Sequence, residues 1–392
     1  MYISALALKN WKNFRSIDVP FQERAFIVGP NASGKSNFLD ALRFLRDIAK
    51  IGGGLQYAVN SVRGGVSKIR CLSARGQSDI GISIQLADTE TKKTLWHYNL
   101  SFNQSGGGVR EFKAIIRREQ VWNSENKLVI NRTEQEDDSR LLQYTFLEQP
   151  TMNAAFREVA DFFMDIKYLH VIPHLVRNAK QVIMPDDHAD YLGKDIIQHI
   201  NKLNKRTQQS YLNKIIHALK YAIPQFDTLT INPDTDGQPH LQTTYLHWRA
   251  RGARQWEDQF SDGTLRLIGL LWALLDGTKP VLLEEPELSL HSAIVRKLPA
   301  IIAKLQKRKS GLRQVILSTH SCELLNNPGI SGEETILLIP GKDGTAAKTV
   351  NSDKEIRTLL QNGMSVGDAV IPVSAPELVE QVSFLKELGF QP

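Results

Sequence analysis

The chain has very little cysteine and no long hydrophobic run. Cys71 and Cys322 are its two cysteines in 392 residues. They form no ligand spacing and no disulfide framework, so a reducing, cytoplasmic setting is expected. The longest apolar stretch, LIGLLWALL at Leu267–Leu275, falls far short of the ~20 residues that cross a bilayer, and no membrane partner is expected. The opening MYISALALKNWKNF lacks a basic segment followed by an apolar core, so a secretory signal is not expected. Nor does one charge dominate. Lys and Arg total 48 against 42 Asp and Glu, a net +6, which permits a nucleic-acid partner without arguing for one. What is present is ordinary: 42% hydrophobic and 23% charged residues, enough for one large domain or a few lobes.

Periodicity divides the chain. YISALAL, SIDVPF and RAFIVG predict short strands within residues 1–30. KSNFLDALRFLRDIAK places Phe38, Leu42, Leu45 and Ala49 on one helical stripe. IGGGLQYAVNSVRGGVSK reads as a glycine-rich loop, residues 78–148 as a β-meander, and RTEQEDDSR within it as an acidic surface loop. Residues 151–222 change to helical spacing closed by Pro224, and read as a helical insertion. No heptad there is long enough for a coiled-coil arm, and no CxxC could make a zinc hook. Beyond it, KPVLLEE, SAIVRKLPAIIAKLQKR, RQVILSTH and ETILLIP alternate strand and helix, the pattern of a parallel sheet. The expected division is 1–150, an N-terminal lobe; 151–222, the insertion; and 223–392, a C-terminal lobe.

GPNASGKS, Gly29–Ser36, matches GxxxxGK[ST] at every fixed position, between an apolar strand and an apolar-striped helix. Gly29 and Gly34 let backbone N–H groups turn inward around phosphates, and the helix N-terminus adds partial positive charge. Asn31, Ser33 and Asn37 belong to the same loop and helix start. Lys35 is expected to reach the β- and γ-phosphates of a nucleotide, and Ser36 to ligand Mg²⁺. VLLEEPELSLH, Val281–His291, ends an apolar strand on stacked carboxylates, which is unfavourable unless something positive or some chemistry uses them. Beside a phosphate loop, Glu284 is the expected Mg²⁺ ligand and Glu285 the residue that polarises the attacking water. Glu287 is expected to open the turn towards a partner subunit. FSDGTLRLIGLLWALL sets Ser261 as the N-cap of an apolar helix, with Gly263 leaving its backbone open. VILSTHS ends another apolar strand at His320, at the edge where open α/β sheets bind ligands.

In this order, over residues 8–321, these segments resemble ABC-type ATPases of the RecF, SMC and OLD group. GPNASGKS resembles Walker A, FSDGTLR the ABC signature, and VLLEEPE Walker B with its catalytic glutamate. LSLH resembles the D-loop and STHS the switch-histidine loop. LKNWKNFRSIDVPF resembles the opening hairpin, where Lys12 would approach the nucleotide. The resemblance implies an α/β P-loop fold of ABC-ATPase type, with a mixed, largely parallel sheet core and an antiparallel β lobe, carrying the helical insertion. It implies ATP and Mg²⁺ as cofactors, and catalytic roles for Lys35, for Glu285 as general base and for His320 as γ-phosphate sensor. It also implies a homodimer with two ATP molecules between subunits, a state that higher oligomers could build on. Ser261 and Gly263 would then meet the γ-phosphate held by the partner chain. The sequence departs from the pattern at Glu284, where Walker B normally ends in aspartate, and at Ser292, which follows the D-loop His291 in place of proline. The Q-loop glutamine is Gln56, Gln77 or Gln85.

The resemblance is closest to compact bacterial ATPases that accompany a nuclease or toxin in anti-phage systems. It implies an ATP-hydrolysing sensor or regulatory subunit that controls a separate effector, with Glu284 suggesting a slow, ATP-held switch. An in-chain nuclease is not expected: GKDGT is an isolated acidic turn, and no DxD pair follows ETILLIP. The alternative is a RecF-like DNA-repair or DNA-clamping ATPase. KLQKRKSGLR (Lys304, Lys307, Arg308, Lys309, Arg313) and HWRARGARQW (Arg249, Arg251 and Arg254 between two tryptophans) would meet phosphates and bases. A transporter subunit is disfavoured, because the signature reads SDG rather than SGG and lies more than two hundred residues after the phosphate loop.

Overall fold

The computed structural model describes residues 1–74, 79–104, 113–134, 138, 140–179, 192–246, 253–308 and 311–374. The first strands are β1 (Tyr2–Trp11), β2 (Phe14–Pro20), β3 (Arg24–Val28), β4 (Ile80–Ala87), β5 (Thr94–Gln104), β6 (Ala114–Trp122) and β7 (Leu128–Thr133). Next come β8 (Lys167–Leu169), β9 (Phe226–Pro233), β10 (Pro239–Tyr245), β11 (Ala253–Trp256) and β12 (Val281–Glu284). The last are β13 (Lys307–Arg308), β14 (Gly311–Leu312), β15 (Val315–Thr319), β16 (Thr335–Ile339) and β17 (Ala346–Thr349). The helices that frame the site are α1 (Lys35–Ala49), α2 (Arg157–Met164), α3 (Ile196–Lys202), α4 (Lys205–Ala222), α5 (Asp262–Leu275) and α6 (Leu298–Gln306).

The central sheet runs β17–β16–β3–β15–β12–β8, parallel from β16 to β8 with β17 antiparallel at one edge. An antiparallel sheet in the order β2–β1–β4–β5–β6–β7 contains the expected meander, and β11–β10–β9 forms a third, smaller sheet. Strand alternation sends successive residues of the central sheet into two cores. Ala25, Ile27, Leu282 and Ile316 are buried with α1, α2 and the antiparallel sheet. Phe26, Val28, Val281, Leu283, Val315 and Leu317 are buried on the other face with α4, α5 and α6. The unbroken apolar runs of β3, β12 and β15 follow from this, since a parallel sheet covered on both faces has no polar side.

Residues 151–222 hold α2, α3 and α4, as their periodicity predicts. The reading of the whole block as a helical insertion is corrected in one place: Lys167–Leu169 forms β8, the edge strand of the central sheet, paired with β12. The glycine-rich segment after α1 is also not wholly loop. Tyr57–Ser61 and Val66–Ile69 form short helical turns that bury Ala58, Val59, Val66 and Ile69. The long helix expected over residues 292–308 breaks into Ser292–Val295 and α6, where Pro299 sits in the first turn that tolerates it.

Arg313 leaves the basic surface assigned to it. It is 2% exposed, and its guanidinium donates to the carbonyls of Lys279, Ala273 and Leu274. The last two belong to the final turn of α5, whose carbonyls have no helical donor. Gln77, Arg249, Arg251, Lys309 and four residues of the acidic loop (135–137 and 139) lie outside the described residues. Among the described residues, no helix is long and apolar enough to cross a membrane.

Candidate nucleotide and metal site

Register brings the ends of four neighbouring strands together. Glu284 pairs with Ser318, Val28 with Thr319, and Leu283 with Leu169. Gly29, Glu285, His320 and His170 therefore leave the sheet side by side, at the C-terminal edge where parallel sheets bind ligands.

The loop from Gly29 to Gly34 is held closely by its neighbours. Ala32 and Gly34 take left-handed conformations, with φ 63° and 96°. A Cβ on Gly34 would lie 2.0 Å from the Asn13 amide, and one on Gly29 would lie 2.8 Å from the Leu338 carbonyl, so both positions depend on glycine. Asn13 donates to the Ser33 carbonyl (2.7 Å) and to Thr345 Oγ1 (2.8 Å). Asn37 donates to Asn13 Oδ1 (3.0 Å), and its own carbonyl accepts from Trp11 Nε1 (2.9 Å). Asn37 thus ties α1 to the opening hairpin, and Asn31 is exposed in the loop. Lys35 is 7% exposed; its Nζ donates to the carbonyls of Gly29 (3.0 Å) and Pro30 (3.2 Å) and lies 3.8 Å from Glu285 Oε1. Among the described residues, Ser33 Oγ is buried without a hydrogen-bond partner, an orphan that a phosphate oxygen would satisfy.

The glutamates divide their work. The Ser36 hydroxyl donates to Glu284 Oε1, and the Tyr168 hydroxyl donates to Glu284 Oε2. Burial, then the adjacent Glu284 carboxylate, pushes the Tyr168 phenol far above its usual range. Glu285 has φ 42°, a left-handed turn that costs a non-glycine residue about 1–2 kcal/mol. Its N–H is held by the Ser318 carbonyl (3.1 Å) and Ser318 Oγ (3.3 Å). The turn brings its carboxylate within 3.2 Å of His320 Nδ1. Backbone strain stored at a residue facing Lys35 and His320 points to function.

The Glu287 side chain turns inward. It is 6% exposed, and it accepts from the Thr319 hydroxyl and the His320 N–H (3.4 Å), bracing the turn against the end of β15. Burial raises its carboxyl above the usual range, against the Thr319 bond that lowers it. The stack of charge in VLLEEPE is thereby eased: one carboxylate is held by two hydroxyls, one sits by a lysine, and one accepts from the Thr319 hydroxyl and the His320 N–H.

The signature segment packs against the D-loop, and its Arg266 interacts electrostatically with Glu285 and Glu287. Ser261 is exposed and caps α5, accepting from the Thr264 N–H at 3.2 Å. A Cβ on Gly263 would sit 2.6 Å from the Ser289 carbonyl of the D-loop. Gly263→Ala is accordingly expected to force the two segments apart and lower stability by about 1–3 kcal/mol, read as a lower urea midpoint at unchanged m-value. The Arg177 guanidinium donates to the Phe260 carbonyl (2.7 and 3.2 Å) and to Asp262, fixing the residues on either side of Ser261. Lys12 Nζ pairs with Asp40 Oδ2 at 2.6 Å, on the second turn of α1, beside Arg43 and Arg63. The Gln56 amide is taken up by the Ala114 and Gln143 carbonyls (2.7 and 2.9 Å), and Gln85 lies in β4.

Tyr168, Asn13 and Arg177 are the site residues that sequence reading misses. Asn13 stands unremarked within the opening-hairpin segment, and Tyr168 and Arg177 stand in no motif. Among the described residues, no group of three His, Cys, Asp or Glu side chains could hold a metal ion by itself. A cation here would share the phosphates with Ser36 and Glu284, whose hydroxyl and carboxylate oxygens are the hard donors that Mg²⁺ takes.

A family model described as "AAA domain, putative AbiEii toxin, Type IV TA system" matches residues 24–326, a span from β3 through the phosphate loop, both glutamates and His320. The chain belongs to this family. Among solved structures, the AAA domain is similar to an SMC head bound to the C-winged helix domain of ScpA. They share 13% identity over 88% of this chain and 97% of that chain, with a TM-score of 0.54. At that identity the likeness shows the fold, an α/β P-loop ATPase of the ABC and SMC type. An SMC head from Thermotoga maritima shares 12% identity over 88% of this chain and 98% of that chain, with a TM-score of 0.47. An SMC head derived from Pyrococcus furiosus, bound to the C-terminal domain of ScpA, shares 15% over 93% and 100%, with a TM-score of 0.48. No curated protein matches the chain.

Proposed function

We propose that this AAA domain binds ATP with Mg²⁺, hydrolyses it slowly as a homodimer, and serves as the sensor subunit of an anti-phage defence complex that controls a separate nuclease or toxin. The observation that carries the catalytic part is the meeting of Lys35, Ser36, Glu284, Glu285 and His320 at one sheet edge. Ser36 and Glu284 would hold Mg²⁺, which when bound neutralises charge on the β- and γ-phosphates. Lys35 would exchange its carbonyl partners for phosphate oxygens. Glu285 would take a proton from the attacking water; an oxygen–phosphorus bond to the γ-phosphate forms as its bond to the β-bridging oxygen breaks, leaving ADP and phosphate. His320, 3.2 Å from Glu285, would keep the base aimed and sense the γ-phosphate. Exposed Ser261, at the positive end of α5, supplies the surface that a second subunit's γ-phosphate would complete.

The defence role is supported by the family description, which names a putative toxin and a Type IV TA system. The DNA-clamping alternative loses Arg313 to the protein interior. Affinity purification from the native host decides between them. A co-purifying nuclease or toxin at fixed stoichiometry is expected, and DNA as the sole partner would reverse the assignment.

A further inference from the structure

We infer that Tyr168 is a positioning residue for the metal site, holding Glu284 so that a single carboxylate oxygen serves Ser36 and the cation. The inference rests on the ATP and Mg²⁺ reading above and adds a residue that no motif contains. The two oxygens of Glu284 are claimed from opposite sides, Oε1 by the Ser36 hydroxyl at the start of α1 and Oε2 by the Tyr168 hydroxyl from β8. Tyr168 pairs in register with Leu282, two residues before Glu284. In a strand, residues two apart share a face, so the tyrosine ring runs along the sheet surface to the carboxylate.

The ring itself is fixed. It is 8% exposed, and the Arg43 guanidinium lies 5.4 Å from its centroid. Arg43 is tied in turn to Asp40 of α1 (3.1 Å). Tyrosine and serine thus both reach the carboxylate from rigid elements, the arrangement that supporting residues use to aim metal ligands.

This also accounts for glutamate at a position where the related motif ends in aspartate. An aspartate would be shorter by one methylene, about 1.5 Å, and would fall away from the Tyr168 hydroxyl. Glutamate spans the distance to both hydroxyls. The Ser36 hydroxyl can give its proton to Glu284 while its lone pairs face a cation, and Tyr168 keeps Glu284 in place to receive it.

The test is the Mg²⁺ dependence of nucleotide binding, followed with a fluorescent ATP analogue in wild type, Tyr168→Phe, Glu284→Asp and the double variant. Phenylalanine keeps the buried ring and removes the hydroxyl alone. Tyr168→Phe is expected to raise the Mg²⁺ concentration for half-maximal binding about 10- to 100-fold, with binding in EDTA unchanged. In the Glu284→Asp background the same substitution is expected to change nothing further. An unchanged Mg²⁺ requirement, an equal loss in EDTA, or a full additional loss in the Glu284→Asp background would overturn the inference while leaving the ATPase reading intact. Wild-type binding that does not respond to Mg²⁺ would overturn that reading, and this inference with it.

Discussion

Lys35→Ala is expected to abolish measurable ATP binding while the protein stays folded. The ammonium is buried in the loop, within 3.2 Å of the Gly29 and Pro30 carbonyls and 3.8 Å from Glu285. Nothing else among the site residues places a cation at the centre of that loop: Lys12 is engaged with Asp40, and Arg177 with the signature segment. Removing one member of a desolvated charge pair costs about 2–5 kcal/mol, which is about 30- to 4,000-fold in affinity. Position 35 is the first residue of α1, where alanine suits the helix, so the thermal midpoint should change little. Equilibrium binding of a fluorescent ATP analogue, paired with thermal unfolding, checks both halves. Wild-type affinity in Lys35→Ala would remove the phosphate loop from the mechanism.

Glu285→Gln is expected to bind ATP and fail to turn it over. Glutamine has the same shape, so the left-handed turn and both bonds to Ser318 survive. What goes is the proton acceptor. A positioned general base contributes about 100- to 10,000-fold to rate, and phosphate release should fall by that factor. The substitution also removes a negative charge beside Lys35, and so a repulsion towards the γ-phosphate. Affinity should hold or rise. Wild-type hydrolysis by Glu285→Gln would assign the base elsewhere.

The catalytic cluster was legible in sequence because its chemistry is local. A phosphate loop and a strand ending in carboxylates are contiguous patterns, and their order along the chain implied the sheet that joins them. Residues that act through tertiary contact left weaker marks. β8 has three residues, too few for a period to declare itself between α2 and α3, and Tyr168 went unnoticed with it. Arg313 was misplaced and the burial of Glu287 was missed for a shared reason. A charged residue in a polar-looking stretch reads as exposed until the structure supplies buried partners, here Thr319 for one and the last carbonyls of α5 for the other. Lys12 shows the converse: its place in the hairpin was clear, but its ion pair with Asp40 depends on how that hairpin crosses α1.

The most direct test of the central claim, an ATPase site that works between two chains, is light scattering of Glu285→Gln with Mg²⁺ and either ATP or ADP, with the retained nucleotide quantified. A dimer holding one ATP per chain, formed with ATP and lost with ADP, is the predicted result. A monomer under both conditions, or a dimer of the same stability without nucleotide, would contradict it.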